Sequence, residues 1–321
     1  MTAARGEVNA RDGGIAVTGL SFAYGGRPAL RDVSFSLAPR AVGLLGPNGS
    51  GKTTLLRALL GHLSLPPGRV TVAGVDVARD PRRARARLGW MPERGGILPR
   101  FSGVGMVAYL GELSGMSPAD ALQRAHQVLD YVGLAEERYR PAGDYSQGMR
   151  QRLKLAQALV HDPDWLLLDE PTSGLDPRGR TALLGLARQL AREHGLGVIL
   201  STHLLADVEA VCDEILVLRD GRLLAHLPAA EVAADADRVL VVEGFGDAEA
   251  FLAALAARGI AAAPRRRGWE LTVPAGDDPP GLVLAAAADA RFALRRLVPR
   301  SRSLQERFQD LVTAPAEGEV S

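Results

Sequence analysis

The stretch Gly46, Pro47, Asn48, Gly49, Ser50, Gly51, Lys52, Thr53, Thr54 constrains what this 321-residue chain can fold into more than any other. It fits the phosphate-binding loop pattern, with glycines at both ends and a Lys-Thr pair closing it. Glycine lets backbone N–H groups close on an anion with no Cβ in the way. An apolar run (Val42, Leu44, Leu45) precedes the loop and a helix-like run (Leu55, Leu56, Ala58, Leu59, Leu60) follows it. Strand, loop and helix are therefore expected in that order, with the positive end of the helix aimed at the anion. In that setting Lys52 is a point charge for the β- and γ-phosphates, and the Thr53 hydroxyl a ligand for Mg²⁺. The expectation is a nucleoside triphosphate site.

Composition narrows the setting. A formal net charge of +1 and a pI near 8.0 give no bulk attraction to nucleic acid, so no nucleic-acid partner is expected. Arginine almost wholly replaces lysine, which occurs only at positions 52 and 154. Cys212 is alone, so no internal disulfide can form and a reducing cytosol is the natural setting. Residues 1–14 are polar, lack the apolar core of a signal peptide, and read as a flexible tail. No run approaches the ~20 apolar residues of a membrane span, so a membrane role would come through a partner.

Ile15, Val17 and Leu20, then Val33, Phe35 and Leu37, alternate as half-buried strands do. Tyr24, beside Gly25-Gly26, is either a core or turn tyrosine or a ring that stacks on a purine. Val70 to Val77 reads as two strands turning at Gly74, and the arginine-rich run 79–87 as a solvated helix face. After a short strand, Leu88 to Met91, comes the glycine-bearing loop that holds Glu93.

Residues 101–160 read as helical throughout, an inserted block within an α/β sheet. Ser117-Pro118 opens a helix that places Leu122, Ala125, Val128, Leu129 and Val132 on one face. The last helix of the block begins at Ser146-Gln147-Gly148. Trp165 to Leu168 then form a buried strand that delivers Asp169 and Glu170 at its carboxyl end, where such sheets place chemistry. Asp169 would hold Mg²⁺, and Glu170 would take a proton from an attacking water. Asp176 caps the next helix. A further buried strand, Gly197 to Leu200, delivers Ser201, Thr202 and His203. Asp220-Gly221 marks a hairpin.

From residue 228 to 237 an alanine-rich stretch reads as a linker. Beyond it the pattern is strand, helix, strand, helix, strand, and then a capping box at Ser303 to Glu306 opening an amphipathic helix with Leu304, Phe308 and Leu311. Arg265-Arg266-Arg267 reads as a solvated turn.

Taken in order, residues 46–54, Tyr145 to Met149, Trp165 to Glu170, Ser173 to Asp176, and His203 resemble the nucleotide-binding subunit of an ABC transporter. The resemblance covers about residues 15–225. It implies an α/β P-loop NTPase fold at 15–227, with a β-rich N-terminal part and a helical subdomain at about 95–161. A small α+β accessory domain is expected at 238–321. The resemblance further implies that Tyr24 stacks on adenine, Glu170 is the catalytic base, and His203 contacts the γ-phosphate. Asp176 would lie in the loop that crosses a dimer interface. Ser146 and Gly148 would cover the γ-phosphate of ATP bound to the other protomer.

The sequence departs from the family pattern in two places. The usual Leu-Ser-Gly-Gly-Gln is Tyr145-Ser146-Gln147-Gly148-Met149, which keeps the serine and the second glycine. The loop that normally offers glutamine to Mg²⁺ offers Glu93, still an oxygen donor but a charged one. Both variations are similar to those of exporters whose membrane subunits are separately encoded, the drug- and antibiotic-export type. Implied are ATP and Mg²⁺ as ligands, a homodimer of ATPase subunits, an integral membrane permease as partner, and a place on the cytoplasmic face of the plasma membrane. Two other readings remain: an importer subunit, and a soluble clamp of the same ATPase type on ribosomes or DNA. Against the clamp stand the single P-loop and the lack of a heptad run.

Overall fold

The computed structural model describes residues 13–229, 239–265, 267–273 and 278–299. By its contacts the chain divides into two compact units, Met1–Leu227 and Pro228–Ser321. The capping box with Leu304, Phe308 and Leu311, Arg266, and nearly all of the 228–237 stretch lie outside the described residues.

The first unit has two sheets. In one, β1 (Ile15–Tyr24) and β2 (Arg27–Leu37) form a long antiparallel hairpin beside β4 (Val70–Val72) and β5 (Val75–Asp76), in the order β2-β1-β4-β5. The other is six-stranded: β3 (Ala41–Leu45), β6 (Leu88–Met91), β7 (Trp165–Asp169), β8 (Gly197–Thr202), β9 (Glu214–Arg219) and β10 (Arg222–Pro228). Its order is β10-β9-β3-β8-β7-β6. The neighbouring pairs from β9 through to β6 run parallel. β3, β7 and β8 are buried along their whole length, as strands covered on both faces must be.

Helix α1 (Lys52–Leu59) packs between the sheets, and its Leu55, Leu56 and Leu59 join Ile15, Leu37, Leu44 and Leu167 in one core. Gly13 and Gly14, the two described residues before β1, each hold a hydrogen bond. Gly13 O accepts the Trp165 indole N–H at 2.7 Å, and Gly14 O accepts Ala73 N–H at 2.8 Å. Short α2 (Pro81–Arg85), capped by Asp80, carries Arg82, Arg83 and Arg85 of the arginine-rich run, with Arg79 and Arg87 outside it.

The inserted block is less uniformly helical than its pattern predicts. It contains α3 (Gly103–Leu113), α4 (Pro118–Tyr131) and α5 (Gln147–Leu159), with two 3-10 turns at Glu137–Tyr139 and Ala142–Asp144 between the last two. Proline at 141 and glycine at 143 interrupt the helical period there, and a lone bridge pairs Ser102 with Pro141. On α4 the buried residues are Ala121, Ala125, Val128 and Leu129. Leu122 is 47% exposed, one position off the face expected for it, because Ala121 fills the tight contact with α3 at Gly111. Two more helices, α6 (Pro177–Glu193) and α7 (Leu205–Val211), complete the first unit.

The second unit is an antiparallel sheet of β11 (Val239–Phe245), β12 (Ala261–Pro264), β13 (Trp269–Thr272) and β14 (Ala293–Pro299), ordered β12-β13-β11-β14. Helices α8 (Ala248–Ala256) and α9 (Pro279–Asp289) supply the rest of its core. The order βαββαβ with β13 between β11 and β12 is a split βαβ arrangement. Phe251 stacks on Phe292 at 4.4 Å, with the Trp269 ring on edge to both. Strand β12 has no counterpart in the sequence reading. Its residues Ala-Ala-Ala-Pro are all exposed at the sheet edge, so they carry neither alternation nor strand propensity.

Candidate functional site

The carboxyl ends of β3, β8 and β7 lie side by side, and each delivers chemistry. From β3 the chain enters the loop 46–51. Gly49 and Gly51 have φ of 82° and 107°, values that suit glycine, and the loop feeds directly into α1. A Cβ at Gly46 would meet the Leu218 carbonyl oxygen at 2.3 Å, so only glycine fits where the loop leaves the strand. The Lys52 ammonium curls back over the loop. It donates to Gly46 O at 2.7 Å and Pro47 O at 3.3 Å, and lies 3.9 Å from Glu170 Oε1. Burial lowers its pKa; Glu170, Asp169 and Glu93 pull the other way. Ser50 is buried, with its hydroxyl unpartnered inside the loop.

From β7 come the two carboxylates, on different errands. Asp169 is buried, its Oδ1 accepting from Ser201 Oγ at 3.0 Å and its Oδ2 from Thr53 Oγ1 at 3.2 Å. Desolvation raises its pKa against those two hydrogen bonds. A hydroxyl and a carboxylate oxygen thus meet where a divalent cation would relieve the buried charge. They fit Mg²⁺, whose other ligands would be phosphate oxygens and water. Glu170 turns away, at φ 47°, a left-handed conformation that costs a side-chain-bearing residue on the order of 1–3 kcal/mol. Its N–H donates to Ser201 O at 2.9 Å, which holds the turn. From beyond β8 comes His203, whose Nδ1 lies 3.1 and 3.0 Å from the two Glu170 oxygens.

Lys52, Thr53, Asp169, Glu170 and His203 are therefore one linked group, as the motif order suggested. Tyr24 stands at the end of the β1–β2 hairpin, 44% exposed and edge-on to Phe22 at 4.9 Å, so it is not a core tyrosine. Glu93 sits on an exposed loop, 3.5 Å from Arg94 Nε. Its charge nevertheless acts on Lys52, Asp169 and Lys154.

Ser146, Gly148 and Asp176 form a second group. Ser146 caps α5 through Met149 N–H at 3.3 Å, leaving Gly148 on the first turn with open space where a Cβ would be. Gln147 and Gln151 both donate to Ser173 O, each at 3.4 Å. Asp176 accepts Gly179 N–H at 2.9 Å and caps α6. The start of α5 and the 173–176 loop are thus fastened to each other within one chain.

Two residues escape the sequence reading. Asp207 is fully buried, accepts Thr172 Oγ1 at 2.6 Å and pairs with Arg180 Nε. It joins the segment after Glu170, the start of α6 and the helix after His203. The signal was its place among the inward positions 207, 208 and 211 of α7. The other is Lys154, whose ammonium donates to Pro92 O at 3.1 Å and Glu93 O at 2.9 Å.

A groove of about 940 Å³ opens beside the Glu93 loop. Its lining includes the apolar Trp90, Leu98, Met106, Tyr109 and Leu113, together with His62, Arg82 and Arg85. Leu98, Tyr109 and Leu113 are 47%, 46% and 66% exposed.

Residues 30–173 match the family model described as ABC transporter. The daunorubicin resistance ATP-binding protein DrrA3 of Streptomyces coeruleorubidus is 34% identical over 306 residues, covering 94% of this chain and 96% of that protein. The linearmycin resistance ATP-binding protein LnrL of Bacillus subtilis is 33% identical over 236 residues, covering 73% and 76%. The Nod factor export ATP-binding protein I of Paraburkholderia xenovorans is 37% identical over 229 residues, covering 70% and 73%. A solved ATP-binding subunit of an ABC transporter superposes with a TM-score of 0.61 at 28% identity, over 68% of this chain and 92% of that one. The ATP-binding cassette MJ0796, a dimer bound to ADP and Pi, gives 0.61 at 22% identity over 67% and 98%, a likeness of fold.

Proposed function

This chain belongs to the ABC transporter family as an ATP-binding subunit, and from that premise we propose that it hydrolyses ATP to power export through a separate membrane permease. The observation that carries this reading is the meeting of Lys52, Thr53, Asp169, Glu170 and His203 at three adjacent strand ends. Relatives named for drug resistance and Nod factor export favour an exporter over a soluble clamp.

In this reading the loop N–H groups and Lys52 bind the β- and γ-phosphates, and Tyr24 stacks on the adenine. Mg²⁺, held by Thr53 and Asp169 with Glu93 within electrostatic reach, would neutralise charge on the β- and γ-oxygens. Glu170 accepts a proton from water as that water attacks the γ-phosphorus; the bond to the β–γ bridging oxygen breaks, and ADP and phosphate leave. His203 holds the Glu170 carboxylate and reaches toward the γ-phosphate.

Two copies, head to tail, would each cover the partner's γ-phosphate with Ser146 and the Gly148 N–H, the exposed start of a helix suited to an anion. Asp176 would lie beside that seam, and the fastening of α5 to the 173–176 loop makes its two contributions move together. The apolar groove would take a short helix of the permease, so that closure around ATP tilts the membrane subunit. Among the described residues no helix is long and apolar enough to cross a membrane, so attachment to the cytoplasmic face would run through that permease.

The test is isolation of the tagged full chain from detergent-solubilised membranes, with the bound partner identified by mass spectrometry. An integral membrane protein recovered in stoichiometric amount, and ATP turnover by the complex, are expected. Recovery with ribosomes or DNA alone would sink the reading.

A further inference from the structure

This chain uses arginine for nearly every basic position, yet keeps lysine at two. Both lysines are 6% exposed, and both hand their ammonium protons to backbone carbonyls of a loop at the proposed nucleotide site. Lys52 does so for the phosphate loop. Lys154, two turns along the helix that Ser146 caps, does so for the loop that carries Glu93. The site suits a lysine. A slender stem reaches beneath the loop, where a Cβ on Gly96 would sit 3.9 Å from Lys154 Cγ. A compact ammonium can then serve two adjacent carbonyls, whereas a planar guanidinium needs a wider slot.

We infer that Lys154 is a positioning residue: it latches the Glu93 loop to helix α5 through the two backbone carbonyls. The inference rests on the ATPase reading of the site. The loop has little else to hold it. Gly95 and Gly96 both take positive φ, of 76° and 81°, and the Glu93 carboxylate otherwise pairs with Arg94, whose side chain is 91% exposed. An ion pair so open to water holds a loop weakly. Through the same two carbonyls, the loop beside the groove and the Ser146 end of α5 become one mechanical piece.

The experiment compares Lys154→Met and Glu93→Gln with the parent, in the full chain. Hydrogen exchange of amides 93–97 is read without nucleotide, and MgATP turnover is read separately. In Lys154→Met, exchange of those amides should rise roughly tenfold or more while the β7 amides keep their protection. Turnover should fall mainly through a raised KM for MgATP. Glu93→Gln alone should leave that exchange as it is in the parent, because the latch is made to backbone carbonyls and not to the carboxylate. Unchanged exchange in Lys154→Met would remove the latch, whatever the turnover. Equal acceleration in Glu93→Gln would show that the carboxylate holds the loop, and would overturn the latch. Loss of turnover in every protein, the parent included, would instead count against the ATPase reading. Should Lys154→Met fail to fold, Lys154→Gln, which keeps a donor but no charge, is read by the same criteria.

Discussion

His203 grips Glu170 by both carboxylate oxygens, at 3.1 and 3.0 Å, although the glutamate reaches it only by adopting a left-handed backbone. A glutamate spent on solvation alone would not need that turn. With Lys52 at 3.9 Å on its other flank, the carboxylate is aimed at the mouth of the phosphate loop.

Glu170→Gln keeps shape and hydrogen bonding but cannot accept a proton. Turnover should fall roughly 10²- to 10⁴-fold, the span of a lost general base, while ATP binding survives. Gel filtration with MgATP should then catch a closed dimer. Near-normal hydrolysis by this variant would take Glu170 out of the role of base.

Lys52→Ala removes the one buried ammonium of the phosphate loop. Affinity for ATP should drop by about 3 kcal/mol, roughly a hundredfold, measured by isothermal titration. Undiminished affinity would overturn the assignment of the loop.

Asp207→Ala leaves Arg180 and the buried Thr172 hydroxyl without their shared acceptor. Breaking a buried pair from one side costs about 3–5 kcal/mol, lessened here because the Arg180 side chain is 30% exposed. Thermal denaturation should show the first unit melting near 10 °C lower, at about 2–4 °C per kcal/mol for a unit of this size. A shift within error would mean that the network contributes little.

Leu98→Glu and Leu113→Glu change exposed side chains, so the fold should stand and ATP turnover of the free subunit should remain. Recovery of the membrane partner in the pull-down should be lost. Its persistence in both variants would place the permease elsewhere on the surface.

Cys212 supplies a pH test. Burial, with Asp213 and Asp207 beside it, pushes the native thiol well above its ordinary value of 9.0. The unfolded thiol ionises first as pH rises, so the native state holds the extra proton and loses stability with pH. From about pH 9 to 10 this costs about 1 kcal/mol, with the slope nearing about 1.4 kcal/mol per pH unit only above that. Urea titrations across that window should show the slope, and Cys212→Ala should flatten it.

The linked group at the strand ends was legible because each member stands in a local pattern: a glycine loop between strand and helix, or acids closing an apolar run. What stayed hidden depends on distant partners. Asp207 looks like any acid on a short helix until Thr172 and Arg180 close on it, from 35 and 27 residues away. Lys154 sits 61 residues from the carbonyl it holds most tightly, and helical period alone only marks it as inward. Strand β12 was invisible for the opposite reason. Its alanines have nothing to bury, and only the pairing with β13 makes them a strand.

The strand order of the six-stranded sheet separates two routes of change. The inserted helical block follows β6 at one margin, whereas the polypeptide departs by β10 at the other. Exchanging everything after Leu227 between related subunits therefore leaves the residues of the groove and of the three chemistry-bearing strand ends unchanged. Chimaeras joined at that position should keep hydrolysis and swap only what the appended domain contributes, a natural seam for learning what that domain is for.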